Sequence, residues 1–130
     1  VTLLTGASEI GQGSETVLAQ LVCEELGLPL EAVTVVNNDT DITPWDVGVH
    51  ASRTTFIGGN SALGAARKAK AKILAAAAKV TGLPEAELEL RAGHVVKAGS
   101  GEATGALDLV VVHRLPETPT PRNDERALPL

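Results

Sequence analysis

The sequence predicts an α+β domain, two helices packed on a mixed β-sheet in two layers. Stretches with apolar residues at helical spacing, near residues 14–26 and 60–79, alternate with short β-branched runs. Both helical patterns stop at the same Gly-Leu-Pro triplet, at Gly27-Leu28-Pro29 and Gly82-Leu83-Pro84. Two later extended runs flank a tight Arg91-Ala92-Gly93-His94 turn, as a hairpin requires. At 130 residues, 44% hydrophobic and 21% charged, the chain has room for one ordinary domain with a core. One Trp, one Phe and no Tyr or Met leave that core to Ala, Val and Leu, so backbones are expected to pack closely.

Residues 1–5 are apolar and β-branched enough for a strand buried on both faces. Ser14 is placed to cap the first helix and Glu15 to complement its dipole, with Val17, Leu18, Leu21, Val22 and Leu26 on one face. Residues 32–37 form the next strand, parallel to the first if the two share a sheet. Residues 38–48, with Asp39, Asp41, Pro44, Asp46 and Gly48, have the chemistry of a long loop. The Ala-rich second helix should turn Ala62, Ala66, Ala69, Ile73, Ala77 and Val80 inward, with Lys68, Lys72 and Lys79 on its solvated side. Residues 87–91, 94–98 and 107–112 are further strands. The repeated Gly-Leu-Pro reads as repeated stop chemistry rather than a duplicated domain.

Sixteen acidic against eleven basic residues give a net charge of −5, which argues against nonspecific binding to nucleic acid or an anionic membrane. No long uncharged apolar segment suggests a membrane span, and no leader precedes the first strand, so a cytoplasmic location is expected. The single cysteine, Cys23, falls among apolar helix positions and reads as a buried small hydrophobe. The chain opens inside a strand without Met, which suggests a fragment. Four of the seven prolines lie at Pro116, Pro119, Pro121 and Pro129, so the C-terminal segment is expected to be partly disordered.

Two stretches carry chemistry. The first, Gly6-Ala7-Ser8-Glu9-Ile10-Gly11-Gln12-Gly13-Ser14, empties a strand through glycines into a helix N-terminus. Free N–H groups and the positive helix end there suit an anion or polar ligand; a plain tight turn is the competing reading. Gln12 stands where a triphosphate loop needs lysine, and Thr16 where a dinucleotide fingerprint needs its third glycine. The second, residues 48–60, carries Ser52, Arg53, Thr54 and Thr55 ahead of Gly58-Gly59 and the second helix. It is a second ligand loop or a Ser/Thr-rich capping loop. One helix end contributes about 0.3–1 kcal/mol toward an anion, against about 8 kcal/mol for micromolar affinity. Any tight site must therefore be completed by other loops.

Other constellations fail. The acidic loop lacks the glycine and closing glutamate of a Ca²⁺ loop, and His50, His94 and His113 lie on different elements. No serine has a defensible triad, so neither a catalytic nor a metal-ligating residue is assigned. Trp45 is either a lid over core or a ligand contact.

Taken in order, Thr5-Gly6-Ala7-Ser8-Glu9-Ile10-Gly11-Gln12-Gly13, Gln20 with Glu25-Leu26-Gly27, Asp39-Thr40 with Pro44, Ala51-Ser52-Arg53-Thr54, and Gly59-Asn60 resemble the molybdenum-binding large subunit of the xanthine dehydrogenase/aldehyde oxidase family. The stretches Asp39-Thr40-Asp41-Ile42-Thr43-Pro44 and Ser52-Arg53-Thr54-Thr55-Phe56 look most like its hydroxybenzoyl-CoA reductase branch. The resemblance implies a molybdenum pyranopterin (molybdopterin) cofactor, in bacteria often a cytosine dinucleotide. It maps cofactor contacts onto Gly11, Gln12 and Gly13 and onto Ala51, Ser52, Arg53 and Thr54, and gives Glu9 a supporting position. Iron–sulfur clusters and FAD are implied on other domains or subunits, with the remainder of the large subunit as a partner.

The family's catalytic glutamate motif does not occur here, so the isolated chain is expected to be inactive. Residues 1–98 are expected to be a molybdenum cofactor-binding segment and 99–130 a divergent tail, a gene fragment's or frame-shifted end. The alternative from another class is a stand-alone, non-catalytic binding module for a phosphorylated small molecule.

Overall fold

The computed structural model describes residues 1–104. Its elements follow in the order β1 (Thr2–Leu4), α1 (Ser14–Leu26), β2 (Thr34–Val36), α2 (Gly59–Thr81), β3 (Leu88–Arg91) and β4 (His94–Lys97). The α+β class and the two helices are as expected. β1 and β2 pair in parallel with Leu3 opposite Val35, and β3 and β4 form an antiparallel hairpin. These are two separate two-stranded sheets, which corrects the single mixed sheet. The reason lies in their supports: α1 packs on β2, whereas the second half of α2 carries β3. The expected strand at residues 107–112 and the Pro-rich tail lie outside the described residues.

Leu3 is buried while Thr2 and Leu4 are exposed, so β1 is covered on one face and not on both. Leu3, Ala7, Leu18, Val22 and Leu26 form the main core with Ala62 and Ala66. The small residues set the helix spacing: a Cβ on Gly59 would lie 2.9 Å from Leu21 Cδ1. Close backbone packing, expected from composition, is realised at this α1–α2 seam. Glu25 clamps its rim, accepting from Arg67 Nε at 3.1 Å while its backbone carbonyl accepts from Lys70 Nζ at 3.0 Å.

α2 changes partner along its length. Ala62 and Ala66 face α1, then Ile73, Leu74, Ala77 and Ala78 pack with Leu88 and Val95 of the hairpin. The buried stripe therefore rotates, and Val80, expected inside, is 68% exposed. Both Gly-Leu-Pro triplets behave alike: Gly27 and Gly82 take left-handed C-cap conformations, and each proline opens a 3-10 turn leading into a strand. Gly27 also permits close approach, since a Cβ there would lie 2.8 Å from Leu90 O. Cys23 is buried, and burial with the charge of Glu31 pushes its thiol pKa up, so it stays a neutral, unreactive thiol.

Candidate functional site

Because β1 and β2 are parallel, their C-terminal ends deliver the two following loops to one edge of the molecule, beside the start of α1. Asn37, just past β2, stitches this edge by donating to Ala7 O at 3.3 Å and to Glu15 Oε1 at 3.0 Å. Gly6 packs so tightly on the acidic loop that a Cβ would stand 2.2 Å from Pro44 O.

The first loop closes on its own side chains. Glu9 Oε1 accepts from Gly11 N at 2.7 Å and Gly13 N at 3.0 Å; its Oε2 accepts from Ser14 Oγ at 2.9 Å and Glu15 N at 3.2 Å. These bonds, that from the Gly13 amide first, hold the Glu9 carboxyl pKa down to about 2. Gln12 takes Ile10 N on Oε1 at 2.6 Å and donates from Nε2 to Ser8 O at 2.9 Å and Ser14 Oγ at 3.1 Å. Gly13, at φ 76°, is the actual N-cap; Ser14, expected as cap, is the first helical residue, and its buried hydroxyl joins Gln12 to Glu9. The anion position foreseen at this helix end exists, and the chain fills it itself.

The second loop is held mainly by backbone. Ala51 and Ser52 both adopt left-handed φ, 52° and 51°, and a π-helical segment (Thr54–Gly58) precedes α2. Two consecutive left-handed non-glycine residues cost about 1–2 kcal/mol each. π-turns gather at functional sites. Arg53 is turned inward, 3.4 Å from Gly48 O and 3.7 Å from Asp46 Oδ1. Among the described residues, the hydroxyls of Ser52 and Thr54 have no hydrogen-bond partner.

Ala7 from the first loop, Asp46 and Gly48 from the acidic loop, and Arg53, Thr54, Ile57 and Gly58 line one hollow. The loops therefore meet, though the shared hollow measures about 10 Å³, room for about one water molecule. Gly48 in its lining is open, and so are Gly11 and Gly13 of the first loop: a Cβ on any of the three would meet nothing within 4 Å. Open backbone at two glycine-rich turns and unpartnered hydroxyls fit a polar cofactor approached from outside this chain. Asp39 serves its own turn, accepting from Asp41 N at 3.0 Å on Oδ1. Trp45 is no lid over core, being 84% exposed, and Phe56 is 71% exposed.

Two features escaped sequence reasoning. The clamp made by Glu9 has a readable signal, an acidic residue before Gly-x-Gly at a helix start. The π-turn has none, because Thr54, Thr55 and Phe56 favour no such geometry.

Comparison with known proteins bears on this edge. The model of the molybdopterin cofactor-binding domain matches residues 1–116. The xanthine dehydrogenase molybdenum-binding subunit of Escherichia coli O157:H7 is 40% identical over 97 residues, covering 74% of this chain and 13% of its own. Subunit gamma of the 6-hydroxypseudooxynicotine dehydrogenase complex of Paenarthrobacter nicotinovorans is 37% identical over 128 residues, 98% of this chain and 16% of its own. Quinoline 2-oxidoreductase from Pseudomonas putida 86 superposes with a TM-score of 0.68 at 31% identity, over 75% of this chain and 12% of that one. The chain belongs to the molybdopterin cofactor-binding domain family, as the resemblance implied, and matches the molybdenum-binding subunits of the xanthine dehydrogenase family. It spans about one-seventh of the length of these relatives. The alternative, a stand-alone phosphate-binding module, finds no support: the family is a different one, and Glu9 already neutralises the first helix end.

Proposed function

We propose that this chain supplies two cofactor-binding loops to the molybdopterin-binding subunit of a molybdenum hydroxylase or reductase. The observation that carries this reading is the meeting of the two loops at one hollow, where Ala7 of the first loop faces Gly48, Arg53 and Thr54 of the second, with the Thr54 hydroxyl unpartnered among the described residues. Gly11, Gln12 and Gly13 would contact the cofactor from the first loop, and Ala51, Ser52, Arg53 and Thr54 from the second. Gly11 and Gly13 allow close backbone approach, Ser52 and Thr54 offer hydroxyls, and Arg53 holds the loop to Asp46. When bound, the molybdenum group supplies two-electron exchange with substrate.

The finer assignments belong to the same proposal. The motifs favour the hydroxybenzoyl-CoA reductase branch; family resemblance adds a cytosine dinucleotide form of the cofactor and a complex with iron–sulfur and FAD domains or subunits, which we place in the cytoplasm. Ile10, Ile42, Trp45, Val47, Phe56 and Ile57 are exposed on the loops of the site edge, which supports completion of the site by the remainder of the large subunit. Residues 1–98 are read as the cofactor-binding segment and 99–130 as a divergent tail.

The test is elemental analysis of the full-length subunit purified with its partner subunits. Stoichiometric molybdenum is expected, and Gln12→Ala should lower it severalfold. A complex with no molybdenum above trace, or full occupancy and turnover in Gln12→Ala, would defeat the assignment.

A further inference from the structure

The first loop contains more than a cofactor contact. Four donors, the amides of Gly11, Gly13 and Glu15 and the hydroxyl of Ser14, converge on one carboxylate from the same loop. Glu9 thus occupies the place an external anion would take at a helix start. Its second effect runs through Ser14. Because Ser14 Oγ gives its only proton to Glu9 Oε2, it can only accept from Gln12, which forces the Gln12 amide nitrogen toward Ser14 and its oxygen toward Ile10 N.

We propose that Glu9 is the positioning residue of this site: its carboxylate is a built-in anion that sets the Gly11-Gln12-Gly13 turn before any ligand arrives and, through Ser14, fixes the sense in which Gln12 presents its carboxamide. The consequence for the ligand rests on the reading under Proposed function. The start of α1 is closed to phosphate, and with both Nε2 hydrogens of Gln12 taken by Ser8 O and Ser14 Oγ, what this loop offers the cofactor is the remaining lone pair of Gln12 Oε1 and open glycine backbone. The low pKa of Glu9 accords with this, since the carboxylate stays charged throughout the physiological range.

The experiment follows amide hydrogen exchange of Gly11, Gly13 and Glu15 in the full-length subunit. Glu9→Ala should accelerate all three about tenfold or more, the scale of losing bonds to a charged acceptor. Added acetate, but not chloride, should restore slow exchange by refilling the position. Inorganic phosphate should bind the same place in Glu9→Ala and leave these amides unmoved in the wild type. Molybdenum content of the variant should fall severalfold.

Unchanged exchange in Glu9→Ala, acceleration that acetate does not reverse, or unchanged molybdenum content would overturn the proposal. If Glu9→Ala speeds exchange across the whole chain, Glu9→Gln decides. Its amide keeps one oxygen acceptor and loses the other, so acceleration confined to Glu15 supports positioning, and chain-wide acceleration overturns it. A wild-type complex without molybdenum would remove the cofactor reading alone, and the acetate and phosphate arms would still decide the role of Glu9.

Discussion

The loop at residues 6–14 and the loop at residues 48–58 reach the same hollow but are held by opposite means. In the first, Glu9, Gln12 and Ser14 bond to nearby backbone and to one another, so the loop's polar side chains are spent on its own shape. In the second, shape comes from left-handed Ala51 and Ser52 and a π-turn, and the hydroxyls of Ser52 and Thr54 remain free of partners among the described residues. One loop is set in advance and offers backbone and a single carboxamide oxygen. The other stores strain and offers side chains, the arrangement expected where a ligand completes the hydrogen bonding.

The strongest way to break the contrast is to remove what both loops lean on. Leu18 is 1% exposed and its Cδ2 stands 3.8 Å from where a Cβ on Gly58 would be, while Ala7 lies in the same core. Leu18→Ala should cost about 4 kcal/mol in urea unfolding of the full-length subunit and loosen both loops together. Gly6→Ala comes next, at about 3 kcal/mol, because its Cβ would meet the Pro44 carbonyl and Asp46 rather than a movable side chain end. Its damage should stay with the first and acidic loops, visible as faster proteolysis near residue 45.

Acid separates the loops without mutation. The folded pKa of Glu9, about 2, lies below its ordinary value of 4.5. Its contribution is therefore fully present above about pH 4.5 and is lost as pH falls toward 2. The amide resonances of Gly11 and Gly13 should titrate with a midpoint near 2, whereas those of Ala51 and Ser52 should not follow that curve. A common midpoint for both loops would mean that they do not differ in how they are held.

The parts legible in the sequence are those set by local rules. The apolar spacing of α1, the Gly-Leu-Pro stops and the hairpin at Gly93 follow from neighbours a few residues apart, and the parallel relation of β1 and β2 from the single helix that connects them. What stayed hidden depends on three-dimensional company. Val80 is exposed because α2 exchanges α1 for the β3–β4 hairpin midway. Ser14 is not the cap because the helix begins one residue earlier than expected, with Gly13 as N-cap, and the Ser14 hydroxyl is given to the Glu9 carboxylate, which also takes the Glu15 amide. Ala51 and Ser52 show positive φ without a glycine to announce it. The same limit explains the site: its motifs could be named from sequence, but not that one helix end was already filled.

The smallest structural effect gives the sharpest test of the second loop. Ser52 is exposed, and its hydroxyl has no partner among the described residues, so Ser52→Ala removes nothing the fold uses. Stability should move by less than about 0.5 kcal/mol, the usual range for such surface changes. If the hydroxyl is held out for the cofactor, molybdenum retention during dialysis of the full-length complex should nonetheless fall severalfold. Ser52→Gly separates geometry from chemistry, since it removes the same hydroxyl while relieving the left-handed φ and should be slightly stabilising. Equal losses of molybdenum in the Ala and Gly variants would tie retention to the hydroxyl. Loss in the Gly variant alone would tie it to the rigid backbone, and the second loop would then work as the first does, by shape fixed beforehand.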